Sequence, residues 1–196
     1  RTKSEEGIDY FATPEPVGLK MVEWLDPRNG ESMLEPSGGH GAIARWFPEL
    51  TNKTTIEPSA ALRSRLALAV GSADGIIAGT FEDHSIVNKY DGIAMNPPFG
   101  VGGKTAIEHL SKAARHLSDG GRVVALIPTG PAADKRFDKW FFEPAERPVR
   151  PLFTDPVLGP VYQGDTLAFN SSYGGSGELV VYASDIYGDV RYVRAK

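Results

Sequence analysis

The segment with the most distinctive chemistry is Asn96-Pro97-Pro98-Phe99, which directly follows an apolar run ending at Met95. Two consecutive prolines fix φ and remove two N–H donors, so the turn is stiff and its carbonyl groups can accept hydrogen bonds. The side-chain oxygen of Asn96 and a neighbouring carbonyl could together receive both hydrogens of one planar NH2 group. Phe99 could stack on a flat ring. We therefore predict a site for a planar amine, with Asn96, Pro97, Pro98 and Phe99 as its candidate catalytic residues.

A planar amine is a poor nucleophile because its lone pair is delocalised. Two acceptors arranged toward a tetrahedral geometry favour localising that lone pair, provided that the electrophile lies in line. The sulfonium methyl group of S-adenosylmethionine is already activated, so we expect neither a metal nor a covalent intermediate. The alternative is a rigid strand-to-helix connection in which Phe99 packs inward.

A glycine-rich turn, Ser37-Gly38-Gly39-His40-Gly41, follows the first predicted strand. Glycines at the carboxyl end of a strand let the backbone approach a ligand closely. Glu57 ends the next predicted strand, where a carboxylate can accept hydrogen bonds from ribose hydroxyls. Together these features favour a cofactor that contains a nucleoside. Two alternatives stay open, because Gly39-His40-Gly41 also begins a dinucleotide-type G-x-G-x-x-A pattern and the turn could merely join a strand to a helix.

Glu35, at the end of the first predicted strand, favours a methionine-type cofactor over a dinucleotide. A carboxylate at this position would repel a pyrophosphate and would suit the amino group of a methionine-like ligand. We expect His40 to be a solvent-facing loop residue rather than a catalytic base.

The rest of the chain must supply the elements that bring these motifs together. Apolar runs predict strands at residues 32–34, 54–56, 76–78, 92–95 and 122–127. Helical spacing predicts helices that begin at Thr13 and end near 26, and others at 42–47, 60–70, 105–117 and 137–142. Thr13 is the expected N-cap of the first helix. This alternation indicates a mainly parallel sheet covered on both faces.

The last quarter of the sequence differs. Residues 165–170 and 178–183 are β-like runs, which we interpret as an antiparallel pair at the sheet edge. Two groups of basic residues are interpreted as surface features. The first, a solvated mixed-charge face, consists of Lys135, Arg136, Lys139, Arg147 and Arg150. The second, a short basic tail, consists of Arg191, Arg194 and Lys196. No linker separates a second core, so we predict a single domain over residues 1–196 with residues 1–9 as a loose lead-in.

Composition excludes several classes of protein. Of the 196 residues, 41% are hydrophobic and 23% charged, which excludes general disorder. The absence of cysteine excludes disulfide scaffolds, thiolate zinc sites and cysteine nucleophiles. No apolar run approaches the ~20 residues of a membrane span, so no membrane partner is expected. The net charge of −4 neither indicates nor excludes nucleic acid. Because the sequence begins with Arg1 rather than Met, we expect a processed product or a domain of a longer chain.

These motifs, with Tyr10-Phe11-Ala12-Thr13-Pro14 ahead of them, resemble the catalytic domain of amino-group DNA methyltransferases that act on adenine N6. The resemblance spans residues 10–127. It implies an α/β fold, Rossmann-like and doubly wound, with a mainly parallel seven-stranded sheet and an antiparallel edge hairpin. It further implies S-adenosylmethionine as cofactor, DNA before RNA as partner, and a cytoplasmic setting of bacterial or phage type.

Carried over by position, the resemblance also implies residue roles. Phe11 and Thr13 would hold the methionine part of the cofactor, Glu35 would face its amino group, and the backbone of residues 37–41 would line it. Glu57 would bind the ribose. Asn96 and the Pro97 carbonyl would accept the target amine, and Phe99 would stack on the base. Because adenine N6 is paired in a duplex, that base must be flipped out or already unpaired.

The chain departs from this family in two respects. Thr80 stands where the family carries an acidic residue that contacts the cofactor adenine, with Phe81 after it. Thr80 and Phe81 remain candidate cofactor residues, and Glu82 or Asp83 could substitute for the missing carboxylate. The residues after 150 resemble a sheet edge rather than a target-recognition domain, so we expect a recognition module on a parent chain or a partner.

Two alternative functions stay open. A protein methyltransferase that modifies a glutamine side-chain amide would use the same acceptors, since that amide is also planar. A catalytically silent module that binds cofactor or nucleic acid within a larger assembly would retain the motifs without turnover.

Overall fold

The computed structural model describes residues 2–3, 9–128 and 130–142 and, further along the chain, 154–155, 159–160, 169–170, 176–184 and 190–195. Side chains are described for residues 11–118, 121–128, 130–137 and 139–140. The helices in these ranges are α1 (Glu15–Leu25), α2 (Ala60–Val70), α3 (Lys104–Arg115) and α4 (Pro131–Phe142), and single 3-10 turns occur at Ala44–Trp46 and Val101–Gly103. None of these helices is long and apolar enough to cross a membrane.

The strands in the described ranges are numbered in chain order. They are β1 (Thr2–Lys3), β2 (Asp9–Tyr10), β3 (Ser32–Glu35), β4 (Asn52–Ile56), β5 (Ile76–Ile77), β6 (Tyr90–Met95), β7 (Leu117–Pro128), β8 (Thr154–Asp155), β9 (Gly159–Pro160), β10 (Phe169–Asn170), β11 (Ser176–Ser184) and β12 (Val190–Ala195).

The central sheet has the order β10-β11-β7-β6-β3-β4-β5, and β12 also pairs with β11. Strands β3 to β7 are parallel to one another, whereas β11 is antiparallel to β7, β10 and β12. The chain runs outward from β3 to β4 and β5 and then returns to β6 on the other side of β3. A cleft therefore opens at the carboxyl ends of β3 and β6, where strand order reverses.

Apolar residues of the strands alternate between two core clusters, one on each face of the sheet. On β6, Ile93 and Met95 belong to the cluster that packs against α3 and α4, and Ala94 belongs to the cluster that packs against α1. Strand β7 alternates in the same way, with Val123 on one face and Val124 on the other. Burial on both faces explains why its sequence is a continuous apolar run.

The α/β fold predicted from the sequence is confirmed, and the described residues form eight strands in the central sheet where seven were predicted. The additional strand is β12. It contains Arg191 and Arg194 of the predicted basic tail, so the prediction is wrong for these two residues, which pair with β11. Lys196 lies outside the described ranges. Of the predicted strand at 165–170, residues 169–170 are described and form β10. Residues 165–168 and 171–175, together with Arg147 and Arg150, lie outside the described ranges.

Two helix predictions need correction. The predicted helix at 42–47 is one 3-10 turn, because the backbone amide of Ala44 donates to the Glu35 carboxylate and Phe47 is already extended before Pro48. Helix α4 begins at Pro131, six residues before the predicted Phe137. Proline suits a first helical turn because its missing N–H would have no partner there.

Candidate functional site

A pocket of about 250 Å³ lies at the carboxyl ends of the parallel strands. Its lining residues follow four different strands, with Ser37 after β3, Glu57 after β4, Thr80 after β5 and Asn96 after β6. Nine of the predicted site residues line it, namely Phe11, Ser37, Glu57, Thr80, Phe81, Asn96, Pro97, Pro98 and Phe99. The four others, Thr13, Glu35, Gly39 and Gly41, are not among the lining residues. Ser37 nevertheless brings the glycine turn to the same cavity as the tetrapeptide.

The side-chain amide of Asn96 is held by the segment that precedes α1. Its Nδ2 donates to the Thr13 hydroxyl at 3.0 Å and to the carbonyl oxygen of Phe11 at 3.4 Å. Both amide hydrogens are thereby used, and within the described part of the chain Oδ1 receives no hydrogen bond. Thr13 does not cap α1 as predicted, since the N-cap residue is Pro14 and no side chain caps it. The arrangement leaves Asn96 with an acceptor oxygen at the pocket.

The tetrapeptide is anchored where it meets α3. Pro97 is buried, and Phe99 lines the pocket while it packs against the α3-side core cluster. The carbonyl oxygen of Phe99 accepts a hydrogen bond from the amide of Ala106 at 3.3 Å. Gly100 follows at φ 68°, and a Cβ there would lie 2.2 Å from the Thr105 hydroxyl. Only glycine fits this close turn between the tetrapeptide and the helix.

Glu57 joins the glycine turn to the start of α2. One carboxylate oxygen accepts from the amide of Gly39 at 2.8 Å, and the other accepts from the amide of Ser59 at 2.7 Å. Ser59 in turn is the N-cap of α2. These bonds fix the orientation of a carboxylate that is 5% exposed and lines the pocket.

Glu35 is a second, more deeply buried carboxylate. It is 2% exposed, and its Oε2 accepts from the amide of Ala44 at 2.8 Å. Burial raises its pKa well above 4.5; the Ala44 hydrogen bond opposes this shift and the nearby Glu57 charge adds to it. An ionised carboxylate here is unfavourable until a cation is placed beside it.

Gly41 allows the glycine turn to approach α2. Its φ is 87°, and a Cβ at this position would lie 2.8 Å from Cβ of Ala69. The neighbouring Gly38 is also tightly packed, since a Cβ there would lie 3.0 Å from Leu66. Gly41 therefore serves the packing of the turn, whereas Gly39 supplies the amide that Glu57 accepts.

The residues after β5 close the far side of the pocket. Phe81 is 2% exposed and belongs to the core, whereas Thr80 is exposed and its hydroxyl donates to Asp83 at 2.9 Å. Sequence reasoning considered Glu82 but missed the histidine beside it. His109 of α3 lines the pocket, and its Nε2 lies 2.9 Å from Oε1 of Glu82. No sequence pattern marks this contact, because its partners lie 27 residues apart.

Comparisons with known proteins bear on the fold. No protein-family model and no curated protein matches the sequence. Among solved structures, the chain is similar to a class I S-adenosylmethionine-dependent methyltransferase from Listeria monocytogenes, at 12% identity and a TM-score of 0.62 over 88% of this chain and 60% of that one. It is also similar to a methyltransferase from Pyrococcus furiosus, at 17% identity and a TM-score of 0.59 over 92% and 89% of the two chains.

A third similar structure is the modification subunit of a type I restriction enzyme from Vibrio vulnificus, at 19% identity and a TM-score of 0.56. That match covers 92% of this chain and 45% of the subunit. The fold is that of class I methyltransferases. The chain spans less than two thirds of the length of the Vibrio and Listeria proteins.

Proposed function

We propose that this chain is an S-adenosylmethionine-dependent methyltransferase that acts on the N6 amine of adenine in DNA. The observation that carries the proposal is the acceptor oxygen of Asn96, fixed at a pocket whose other strand ends carry Ser37 and Glu57. One cavity can then hold a methyl donor and a planar amine side by side. Such positioning is the main requirement of a transfer between two bound groups.

Two carboxylates support the choice of cofactor. Glu35 is buried without a cation beside it among the described side chains, and its raised pKa reflects this environment. The amino group of a methionine moiety would supply the cation. Glu57 is oriented to accept from ribose hydroxyls, and Phe11, Thr13 and the glycine turn would hold the remaining atoms. When bound, S-adenosylmethionine supplies an activated methyl group.

The residues of the tetrapeptide then define the second ligand. The Asn96 oxygen and the Pro97 carbonyl would accept the two hydrogens of an exocyclic amine, which favours a nucleophilic lone pair. Phe99 and the half-exposed Phe11 offer aromatic surface to a flat base. Since N6 is paired in a duplex, the adenine must be flipped out or unpaired.

We also propose that a separate module recognises the DNA sequence. The chain covers less than half of the Vibrio modification subunit, and the described residues after 150 are strand segments. A recognition module on a parent chain or on a partner would supply the missing contacts.

The test combines binding and transfer. Calorimetry with S-adenosylmethionine should give saturable binding, and labelled methyl groups should then appear as N6-methyladenine in single-stranded or duplex DNA. Matched RNA and a glutamine-containing peptide serve as the other substrates. If only the RNA or only the peptide is labelled, adenine in DNA is refuted as the substrate. If S-adenosylmethionine binds but no substrate is labelled, the chain is a catalytically silent module.

A further inference from the structure

The proposed transfer assigns no role to the protein surface that adjoins the tetrapeptide. The residues proposed to hold the cofactor follow β3, β4 and β5, whereas the tetrapeptide follows β6. A target base would therefore occupy the β6 side of the pocket, and the strand that carries this base must cross the surface next to it. That surface consists of the 3-10 turn Val101–Gly103 and of α4.

The turn after the tetrapeptide is packed against α4. A Cβ built at Gly102, whose φ is 56°, would lie 3.5 Å from Nε of Arg136. At Gly103, whose φ is 73°, a Cβ would lie 3.1 Å from both Ala133 and Pro128. Since Pro128 ends β7, the turn lies at the same edge of the sheet as the pocket. Its backbone is held close to Arg136, so the two present one surface.

This turn holds an apolar side chain in solvent. Val101 is 89% exposed, although the backbone that carries it is packed. It lies two residues after Phe99, whose ring lines the pocket. Nucleic-acid bases offer apolar contacts, through the thymine methyl group and between base steps. A base next to the one in the pocket would remove Val101 from water.

Unpaired positive charge lies beside the same turn. Lys135 and Arg136 of α4 are both exposed, and among the described side chains no carboxylate pairs with either of them. The carboxylate of the neighbouring Asp134 accepts from the amide of Gly130 at 3.3 Å. In a chain with a net charge of −4, two unpaired cations beside the pocket form a local positive surface that attracts an anionic partner.

We propose that Val101, Lys135 and Arg136 form a surface that binds the DNA strand next to the target adenine. The inference rests on the proposed function, because it concerns the strand that carries the methylated base. Lys135 and Arg136 pair with phosphate oxygens, and Val101 contacts the neighbouring base. Phosphate contacts position a strand without reading its sequence, which agrees with a recognition module elsewhere.

Fluorescence anisotropy with a labelled single-stranded oligonucleotide that contains one adenine tests the phosphate contacts. The affinity should fall as salt rises, and the loss of one phosphate contact should make the slope of log affinity against log salt shallower by about 0.7. Arg136→Gln and Lys135→Gln should each show this change. Arg115→Gln is the matched control, because Arg115 is exposed at the end of α3 that lies farthest from the turn, and it should keep the native slope.

The same measurement tests the apolar contact. Val101→Ser should weaken binding about fivefold or more and keep the native salt slope, since burial of a valine is lost and no counterion is involved. Val87→Ser is the control, because Val87 is 81% exposed but precedes β6, at the opposite edge of the sheet. Every variant should keep the native affinity for S-adenosylmethionine. In methyl transfer, the surface variants should raise KM for the oligonucleotide and keep the native kcat.

The outcomes distinguish this inference from the proposed function. If Arg136→Gln or Lys135→Gln keeps the native slope, that residue is not a phosphate contact, and native affinity in Val101→Ser refutes the base contact. If the native chain binds S-adenosylmethionine but no oligonucleotide, the surface is refuted. If it binds a matched RNA and not DNA, the assignment to DNA is overturned. If it binds DNA with the expected slopes but transfers no methyl group, the surface stands and the proposed function fails.

Discussion

Asn96 concentrates the proposed chemistry in one side chain. Its amide nitrogen is occupied by Thr13 and Phe11, which orients the opposite oxygen as an acceptor. The bond to Thr13 is 3.0 Å long and joins residues 83 positions apart. The residue that we propose accepts the amine is therefore oriented by the segment that precedes α1.

The first prediction concerns this residue. Asn96→Ala should abolish methyl transfer and leave the affinity for S-adenosylmethionine within about threefold of the native value, since an interaction made only with the reacting amine affects turnover rather than cofactor binding. Labelled methyl transfer and calorimetry measure the two effects. Asn52→Ala, an exposed asparagine of β4, is the control. Near-native turnover by Asn96→Ala would remove the tetrapeptide from the mechanism.

A second prediction concerns Glu35 and the pH dependence of stability. Burial places its pKa in the folded state above that in the unfolded state, so the native state retains a proton that the unfolded chain has lost. Stability therefore falls as pH rises through the interval between the two values. Glu35→Gln should raise the free energy of unfolding at neutral pH, because its amide oxygen can still accept from Ala44.

Urea unfolding of the two proteins over a series of pH values checks this prediction. The higher free energy of unfolding of Glu35→Gln should disappear below about pH 4.5, because Glu35 is then protonated in both the folded and the unfolded state of the unsubstituted protein. The same variant should bind S-adenosylmethionine at least about tenfold more weakly, since a hydrogen bond to a charged group is lost. Equal stability of both proteins at neutral pH would show that burial does not penalise this carboxylate.

Among the elements, the glycine turn that we propose binds the cofactor also has a role in packing. It must lie against α2, because a Cβ at Gly41 would meet Ala69 at 2.8 Å. It is also fixed through Glu57, which accepts from the amide of Gly39 and from that of Ser59, the N-cap of α2. A displacement of α2 would therefore move the turn and the carboxylate together.

A third prediction separates packing from backbone conformation in this element. Gly41 and Gly71 both have positive φ, at 87° and 77°, but no atom lies within 4 Å of a Cβ built at Gly71. Gly71→Ala should destabilise the protein by about 1 kcal/mol through conformation alone. Gly41→Ala should cost about 2–3 kcal/mol, because it adds a steric clash. Chemical denaturation measures both, and equal losses would refute the packing role of Gly41.

The sequence predicted elements best where local pattern and tertiary environment agree. The bounds of α2 match the predicted 60–70, and the apolar run of β7 is buried on both faces as expected. The prediction of a helix at 42–47 is wrong because apolar spacing carries no information on the hydrogen bond that the amide of Ala44 donates to the Glu35 carboxylate. The Glu82–His109 contact was missed for the same reason, since its partners meet only after the sheet has formed. The roles assigned to the site residues stay predictions.

At the scale of the whole molecule, Arg122 links elements that are distant in sequence. From β7, its guanidinium donates to the carbonyls of Leu25 and Asp26 at 2.7 and 3.1 Å, at the end of α1. It also lies 2.6 Å from the carboxylate of Glu31, just before β3. The two side chains are 19% and 18% exposed, so solvent screens this ion pair little. One residue thus fastens α1 to the centre of the sheet.

The fourth prediction concerns this link. Arg122→Met should keep the aliphatic packing but lower the free energy of unfolding by about 2–3 kcal/mol, because several charged hydrogen bonds are lost together. Lys20→Met is the control, since its ion pair with Glu23 is exposed and should contribute less than about 1 kcal/mol. Thermal or urea unfolding measures both variants. A similar decrease in the free energy of unfolding in Arg122→Met and Lys20→Met would refute the role of Arg122 as a link between α1 and the sheet.

The bond between Asn96 and Thr13 has a consequence for folding kinetics. Helices form from neighbouring residues and can recover early, whereas contacts between distant parts of a chain form late because a long loop must close first. During refolding from urea, helical circular dichroism should therefore return before turnover does. A chain that has formed its helices but not the contact between Asn96 and Thr13 would show native-like circular dichroism without turnover. Recovery of turnover is therefore a stricter test of correct refolding than recovery of circular dichroism.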